Sequence, residues 1–419
     1  MESEIIDEEF EEYKKNCSNV KTVINWYDLY GGHAIALNKD FQIELFDKAI
    51  KKAGNYSGLG RILKVGRKTI SNCSKGKIKP KIKILKKIVK YVGYPLRNIN
   101  NKIIKICSLK PNLPFDLSSE EGAEIIAAFL SDGHNDKSPT ANPQYCALEK
   151  ESHKRLIRLC KRVFGDFKSR TYFDGRSHIT KFPAVIGTAL EFSGAPRGDQ
   201  RLSNCYLPKD ILLGDNKIIG AYLRRVFDDE GDVCFGSYGK RAVRITRSVD
   251  ITNLSELKNI LPERWIRYKL PKGIKHNLLH GEKLILLKLG IDARLYPEGV
   301  YLSKNNRMTA KWRIQIGQQD QLKKFAELIG FNLIEKRKKL NSMLKSYQYR
   351  KLPNGEGRKQ ALEFIKETYN QQGYFKFGDL GKELVKSGRS YDLAGRYLKE
   401  FIEKRLIKKV KRGIYVIGG

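Results

Sequence analysis

Two acidic residues stand out by where they fall. Asp132 follows the apolar run EIIAAFLS and precedes Gly133, and Glu230 closes NKIIGAYLRRVFDDE and precedes Gly231. Both runs have helical spacing, so each acid sits at a helix C-terminus, where the backbone dipole disfavours an anion. Glu230 is crowded further by Asp228, Asp229 and Asp232 in a chain otherwise rich in cations. A carboxylate kept in such a place is suited to a divalent cation. If the two helices pack side by side, the pair can hold Mg2+ (or Mn2+) against a phosphodiester and activate a water for attack. The blander reading is two exposed helix-end acids followed by capping glycines. Their matched positions in two halves of the chain weigh against it.

Other candidate chemistry falls away on spacing. HNLLH sets His276 and His280 four apart, but no Glu lies between them in the metalloprotease pattern and no third ligand is evident. The two are expected to pack. GRILKVGRKT has five residues between its glycines where a phosphate loop has four, and Arg67 stands where that loop has Lys. The seven cysteines, at 17, 73, 107, 146, 160, 205 and 234, form no CxxC pair. Their scatter reads as a reduced, intracellular protein without a zinc ribbon. The start MESEIIDEEFEEYKK has no apolar segment of a secretory signal, and no apolar run reaches the roughly 18 residues of a membrane span. A cytoplasmic, nucleoid-associated location without a membrane partner is the expectation.

Charge names the class of partner. Lys plus Arg is 81 and Asp plus Glu is 46, a formal +35, and the basic residues are spread through patterned segments. That excess is self-repulsive until a polyanion relieves it, and phosphate backbones are the usual polyanion. Ribosomal partners and anionic membranes compete for this reading. With 41% hydrophobic residues, 419 positions support about three packed domains.

The elements that position the acids follow from periodicity. Residues 1–40 read as an acidic, weakly patterned arm. FQIELFDKAIKKAG opens a helical region over 41–110, and 99–117, with Pro111 and Pro114, reads as a linker. In SSEEGAEIIAAFLSDG, Ser118 and Glu121 have the spacing of a capping box. QYCALE is a strand and SHKRLIRLCKRVFG a helix. After the second acidic-ended helix come the strand RAVRITRS, the helix LSELKNIL, the strand KWRIQIG and the helix QDQLKKFAELIGF. This repeated order predicts an internal duplication with a period of about 100 residues, too long for a solenoid. Past the turn-like LPNGEG, residues 355–419 read as three helices and the hairpin LIKKV-KRG-IYVI, with Gly413 at its turn.

EIIAAFLSDGH and YLRRVFDDEGD resemble the two signature helices of the LAGLIDADG homing endonucleases, and the likeness extends over 118–345. It implies an α+β core of two αββαββα-type halves in a free-standing chain. The signature helices pack at a pseudo-twofold axis, Asp132 and Glu230 ligate Mg2+ (or Mn2+), and the strands form a saddle in the major groove of double-stranded DNA. Internal symmetry implies a monomer. GAPRGDQ resembles the first-half loop that carries an amide or cation near the scissile phosphate, which nominates Gln200, with Arg201 beside it. Lys336 is the second-half counterpart. The chain departs from the family at Arg225, where a glycine is usual at the helix crossing.

The ends carry two further resemblances. SGLGRILKVGRKTISNCSKGKIKPKIKILKKIVKYVG resembles a repressor-type helix-turn-helix with its turn at Gly66. Arg67, Lys68, Thr69, Ser71 and Asn72 then face base edges and Ile70 faces the core. The last segment resembles a winged helix, with a recognition helix near 391–404 and Lys408, Lys409, Lys411 and Arg412 presented to phosphates. The function so implied is a site-specific, metal-dependent DNA endonuclease. Two alternatives stand beside it: a transcription regulator with a non-cleaving LAGLIDADG domain, and an RNA-splicing maturase, for which RNA is the partner.

Overall fold

The computed structural model describes the chain except residues 1, 18–19, 236–240, 254–274, 303–306, 348–354, 388, 390 and 419, and except the side chains of 2–7, 200, 201 and 302. LSELKNIL lies outside the described residues, and so does the start of LPNGEG. The chain divides into two compact units. One comprises 1–230, 246–289 and 295–313, and the other 231–245, 290–294 and 314–419.

The structure is mixed helix and strand, as the periodicity predicts, and it repeats one order twice. The first pass is helix Glu120–Leu130, strands Gly133–His134 and Gln144–Ala147, helix Lys150–Phe164, strands Arg170–Phe173 and His178–Lys181, and helix Ala184–Phe192. The second is helix Asn216–Glu230, strands Gly231–Phe235 and Arg241–Asp250, helix Asn277–Lys288, strands Arg294–Leu302 and Met308–Ile316, and helix Gln319–Leu328. Each pass makes a four-stranded sheet in which the strands lie in the order first, second, fourth, third. A shared strand order is far stronger evidence of duplication than shared composition.

Helices Glu120–Leu130 and Asn216–Glu230 pack against each other over an extensive contact. Ala127, Ala128, Gly220 and Ala221 are all buried on them, and small residues let helix axes approach closely. The first helix is capped one residue later than the spacing predicts. Ser119 accepts from Gly122 N at 3.2 Å, because Ser118 is already engaged, its Oγ donating to Asp116 Oδ1 at 2.6 Å.

Residues 1–40, expected as an arm, are part of the first unit's packing. They carry helix Glu2–Asn16 and the short strands Val23–Ile24 and Ile35–Leu37. Tyr13 donates to Asn277 O at 2.9 Å and accepts from Leu207 N at 2.8 Å. It is seated so closely on helix Asn277–Lys288 that a Cβ at Gly281 would lie 2.4 Å from its hydroxyl. Trp26 is fully buried and donates from Nε1 to Leu96 O. The expected linker is likewise tied down. Ile103–Ile106 pairs with Ile35–Leu37, Lys110–Pro111 with Gly165–Asp166, and Phe115–Asp116 with Val23–Ile24. Strands this short leave no periodic trace in a sequence.

Between these strands lie four helices, Lys39–Lys52, Tyr56–Leu63, Arg67–Ser74 and Ile82–Val92. Asn38 and Asn55 cap the first two through their side chains. The C-terminal segment folds on its own core of Ile365, Phe375, Leu380, Leu398, Phe401 and Ile407. It comprises helices Glu356–Gln372, Phe377–Lys386 and Leu393–Glu403 and the hairpin Ile407–Lys411/Ile414–Ile417, whose Gly413 has φ +77°. No helix among the described residues is long and apolar enough to cross a membrane.

Candidate active site and nucleic-acid interface

Asp132 lies two residues beyond the last residue of the first helix, and its neighbour explains the Asp-Gly sequence. A Cβ at Gly133 would lie 2.5 Å from Phe129 Cα and 2.9 Å from Ala128 O, so the chain can fold back onto the helix only through glycine. The backbone then locks, with Cys146 N donating to Asp132 O at 3.1 Å. Glu230 is the last residue of its helix and keeps 28% of its side chain exposed.

Two bridges bring these helix ends together. The first is strand Gln144–Ala147. Cys146 holds Asp132, while the adjacent Tyr145 donates to Asp229 Oδ1 at 2.8 Å. Burial raises the Tyr145 phenol far above its ordinary value; the Arg225 cation opposes the shift, and Asp229 and Asp132 add to it. The phenol therefore stays protonated and donates. The second bridge is Arg247, from strand Arg241–Asp250. Its Nη1 donates to Leu130 O at 2.7 Å and its Nη2 to Ser131 Oγ at 3.2 Å, while Nη1 lies 3.5 Å from Glu230 Oε1. Glu282 grips the same guanidinium at Nε (3.1 Å) and Nη2 (2.8 Å) and has no exposed surface. Burial works against the Arg247 charge, but Glu282 and Glu230 hold it above its ordinary range as a firm cation.

Arg225 does not obstruct the helix crossing. Its buried side chain turns into the first half, pairs with Asp229 at 3.0 Å and lies over the Tyr145 ring at 4.7 Å. Burial lifts Asp229 to about 6 against the pull of Arg225 and Tyr145.

A pocket of about 560 Å³ opens at these helix ends, lined by Ser131, His134, Asp199, Glu230, Arg247 and His276 among others. Asp199 belongs to the GAPRGDQ loop. Arg197 clamps that loop, donating to Asp136 O at 3.0 Å and Ser138 O at 3.2 Å and pairing with Glu191. Gln200 follows Asp199 as the first residue of the short helix Gln200–Ser203; its side chain is outside the described residues. Lys336 is half-buried in the first turn of helix Ile334–Lys345, in the second unit. His276 and His280 are a packing pair. His276 caps its helix by accepting from Leu279 N, and His280 meets Glu9 at 2.7 Å.

The first sheet has one covered and one open face. His153 of helix Lys150–Phe164 hydrogen-bonds Thr180 at 2.7 Å and meets the Tyr145 ring edge to face at 5.0 Å, which covers one face. Side chains alternate along strands, so Gln144, Cys146, Arg170, Tyr172, Ile179 and Lys181 share the other face, half-buried or exposed. Arg170 and Lys181 both lie over the Tyr172 ring, at 5.8 and 5.5 Å. Cations flanking an aromatic on an open sheet suit a phosphate backbone. At the N-terminal helices, Arg67 and Lys68 are exposed, Thr69, Ser71 and Asn72 half-buried, and Ile70 buried. Lys408, Lys409, Lys411 and Arg412 are exposed on the hairpin.

Arg247 and Glu282 escaped the sequence reading. Arg247 is one of many arginines, and its partner is 35 residues away. A signal for Glu282 was present: an acid set among the apolar positions of LLHGEKLILL asks for a buried partner.

No family model and no curated protein matches the chain. Among solved structures it is similar to full-length DUF199/WhiA from Thermatoga maritima, at 14% identity and TM-score 0.34, over 70% of this chain and 93% of that one. It is also similar to mesophilic variants of the homing endonuclease I-DmoI, at 12% identity and TM-score 0.32, over 54% of this chain and 98% of that one. I-DmoI in complex with DNA and Ca gives 11% identity and TM-score 0.32, over 54% and 98%. Likeness at this level carries no functional weight.

Proposed function

We propose that the protein is a site-specific, double-stranded DNA endonuclease in which Asp132 and Glu230 hold a divalent cation at the paired helix ends. The observation that carries this is the convergence of the two acidic ends on shared partners, Tyr145–Cys146 on one strand and Arg247 on another. Among the described residues no group of three or more ligating side chains gathers. Two carboxylates suffice for Mg2+ or Mn2+, which keep several waters and take their remaining ligands from phosphate. When bound, the ion supplies Lewis-acid polarisation of the phosphodiester and lowers the pKa of a coordinated water. The chain's own part is to hold the two carboxylates, to position them through the two bridges, and to bind the DNA backbone. Arg170 and Lys181 on the open sheet face, Arg67 and Lys68 on the N-terminal helices, and the hairpin cations serve that binding. Gln200 and Lys336 are proposed beside the scissile phosphates.

A second reading has one observation in its favour. Arg247 already lends Glu230 a cation, which suits a regulator that binds DNA without cutting it. Nicking and binding measured in parallel on Asp132→Asn and Glu230→Gln separate the two. The nuclease reading predicts lost cleavage with nearly intact binding. If either variant cuts within about threefold of the parent, the ligand assignment is wrong.

A further inference from the structure

Resting on that reading, we infer that Glu282 is a positioning residue for the candidate metal site: it occupies Arg247 so that Glu230 stays available to a cation. Arg247 lies between two carboxylates that are far from equal. Glu282 meets it fork to fork, at Nε (3.1 Å) and Nη2 (2.8 Å), the strongest geometry open to this pair. Glu230 is reached by Nη1 alone, at 3.5 Å. A guanidinium has five N–H groups in a fixed fork. Glu282, Leu130 O and Ser131 Oγ take four of them, which leaves a single proton facing Glu230. Tyr222 donates to Glu282 Oε1 at 3.3 Å and fixes the acid from the second paired helix. Glu282 is completely buried and cannot itself reach a ligand, whereas Glu230 is partly exposed and lines the pocket.

Counting charge gives the same assignment. Arg247 and Glu282 cancel, so Glu230 keeps its negative charge for a divalent ion. Without the charge on Glu282, the guanidinium is still held by Leu130 and Ser131, and Glu230 becomes its carboxylate. The side chain meant for the metal is then drawn to an internal cation. A purely structural pair, fastening helix Asn277–Lys288 to strand Arg241–Asp250, would affect stability and leave metal affinity alone.

The test is Mn2+ binding to the full-length protein, followed by electron paramagnetic resonance, with Glu230→Gln locating the ion and thermal melting run alongside. Glu282→Gln is expected to weaken Mn2+ binding by about 10–100-fold, the range seen for residues behind metal ligands. Arg247→Met combined with Glu282→Gln removes the competitor with the counter-ion and is expected to return affinity to within about threefold of the parent. The double variant also covers misfolding of the single one, because replacing both members of a buried pair is tolerated where removing one is not. Three results overturn the inference: a Glu282→Gln protein that binds Mn2+ within about threefold of the parent, a double variant more than about tenfold weaker than the parent, or parental Mn2+ binding indifferent to Glu230→Gln. Cleavage is not read, so a protein that binds Mn2+ this way and never cuts contradicts the nuclease reading and leaves this one standing.

Discussion

The two helix ends occupy equivalent places in the duplicated order, yet different physics holds each of them. At the first, Asp132 is fixed by backbone. Gly133 allows a contact that no side chain permits, and a strand amide holds the Asp132 carbonyl. At the second, charge does the holding. Asp228 and Asp229 are buried, Arg225 is buried with them, and Arg247 stands beside Glu230. Matched positions in a duplicated sequence therefore need not share their supports. The first end should be sensitive to volume and the second to charge.

The largest expected effect is at the charged end. Arg225→Leu leaves Asp229 buried without its cation and should cost about 3–5 kcal/mol in chemical denaturation, as for other broken buried pairs. Adding Asp229→Asn should recover much of that loss. A single-variant loss below about 1 kcal/mol would show that charge does not hold this end. At the backbone end, Gly133→Ala sets a methyl against Phe129 Cα and should destabilise by about 1–3 kcal/mol, equally at low and high salt. A salt-dependent loss there would break the contrast.

A smaller effect tests the burial of His276 beside Arg247. Burial first, and the Arg247 cation second, hold the imidazole down at about 3 from its ordinary 6.5. Between those values the unfolded chain takes up a proton that the folded chain refuses, so stability falls as pH drops through the window. The slope reaches about 1.4 kcal/mol per pH unit for this one group. His276→Asn keeps a good helix cap and removes the titration, so denaturation between pH 6.5 and pH 4.5 should show a flatter acid limb than the parent. An unchanged limb contradicts a buried neutral His276.

The smallest effect lies on the open sheet. The parent's slope of log K against log salt on duplex DNA should be steeper than about −5, and Lys181→Gln should reduce it by about one while weakening all sequences alike. A parental slope near −1 would contradict extensive contact with duplex phosphates.

Much of this was legible because periodicity records whatever repeats over many residues. The two long helices with their acidic ends, the strands Gln144–Ala147, Arg241–Asp250 and Met308–Ile316, and the C-terminal helices and hairpin fall where the pattern sets them. Arg225 and Asp229 are even spaced i,i+4 on one helix, so their pairing could have been read. What stayed hidden depends on contacts between distant positions. The acidic start gives no sign that Tyr13 reaches Leu207 and Asn277. Two-residue strands such as Phe115–Asp116 have no period to detect. Arg247 and Glu282 meet only because two elements cross, and no local pattern encodes that crossing.

The most direct test of the central claim is a cleavage assay on the intact chain, with supercoiled plasmid and a library of random duplexes, in Mg2+, in Mn2+ and in chelator. Metal-dependent nicking or linearisation at a restricted set of sites is expected, and none in chelator. Tight, salt-dependent duplex binding with no cut in either metal would contradict the nuclease and leave a DNA-binding protein that does not cleave.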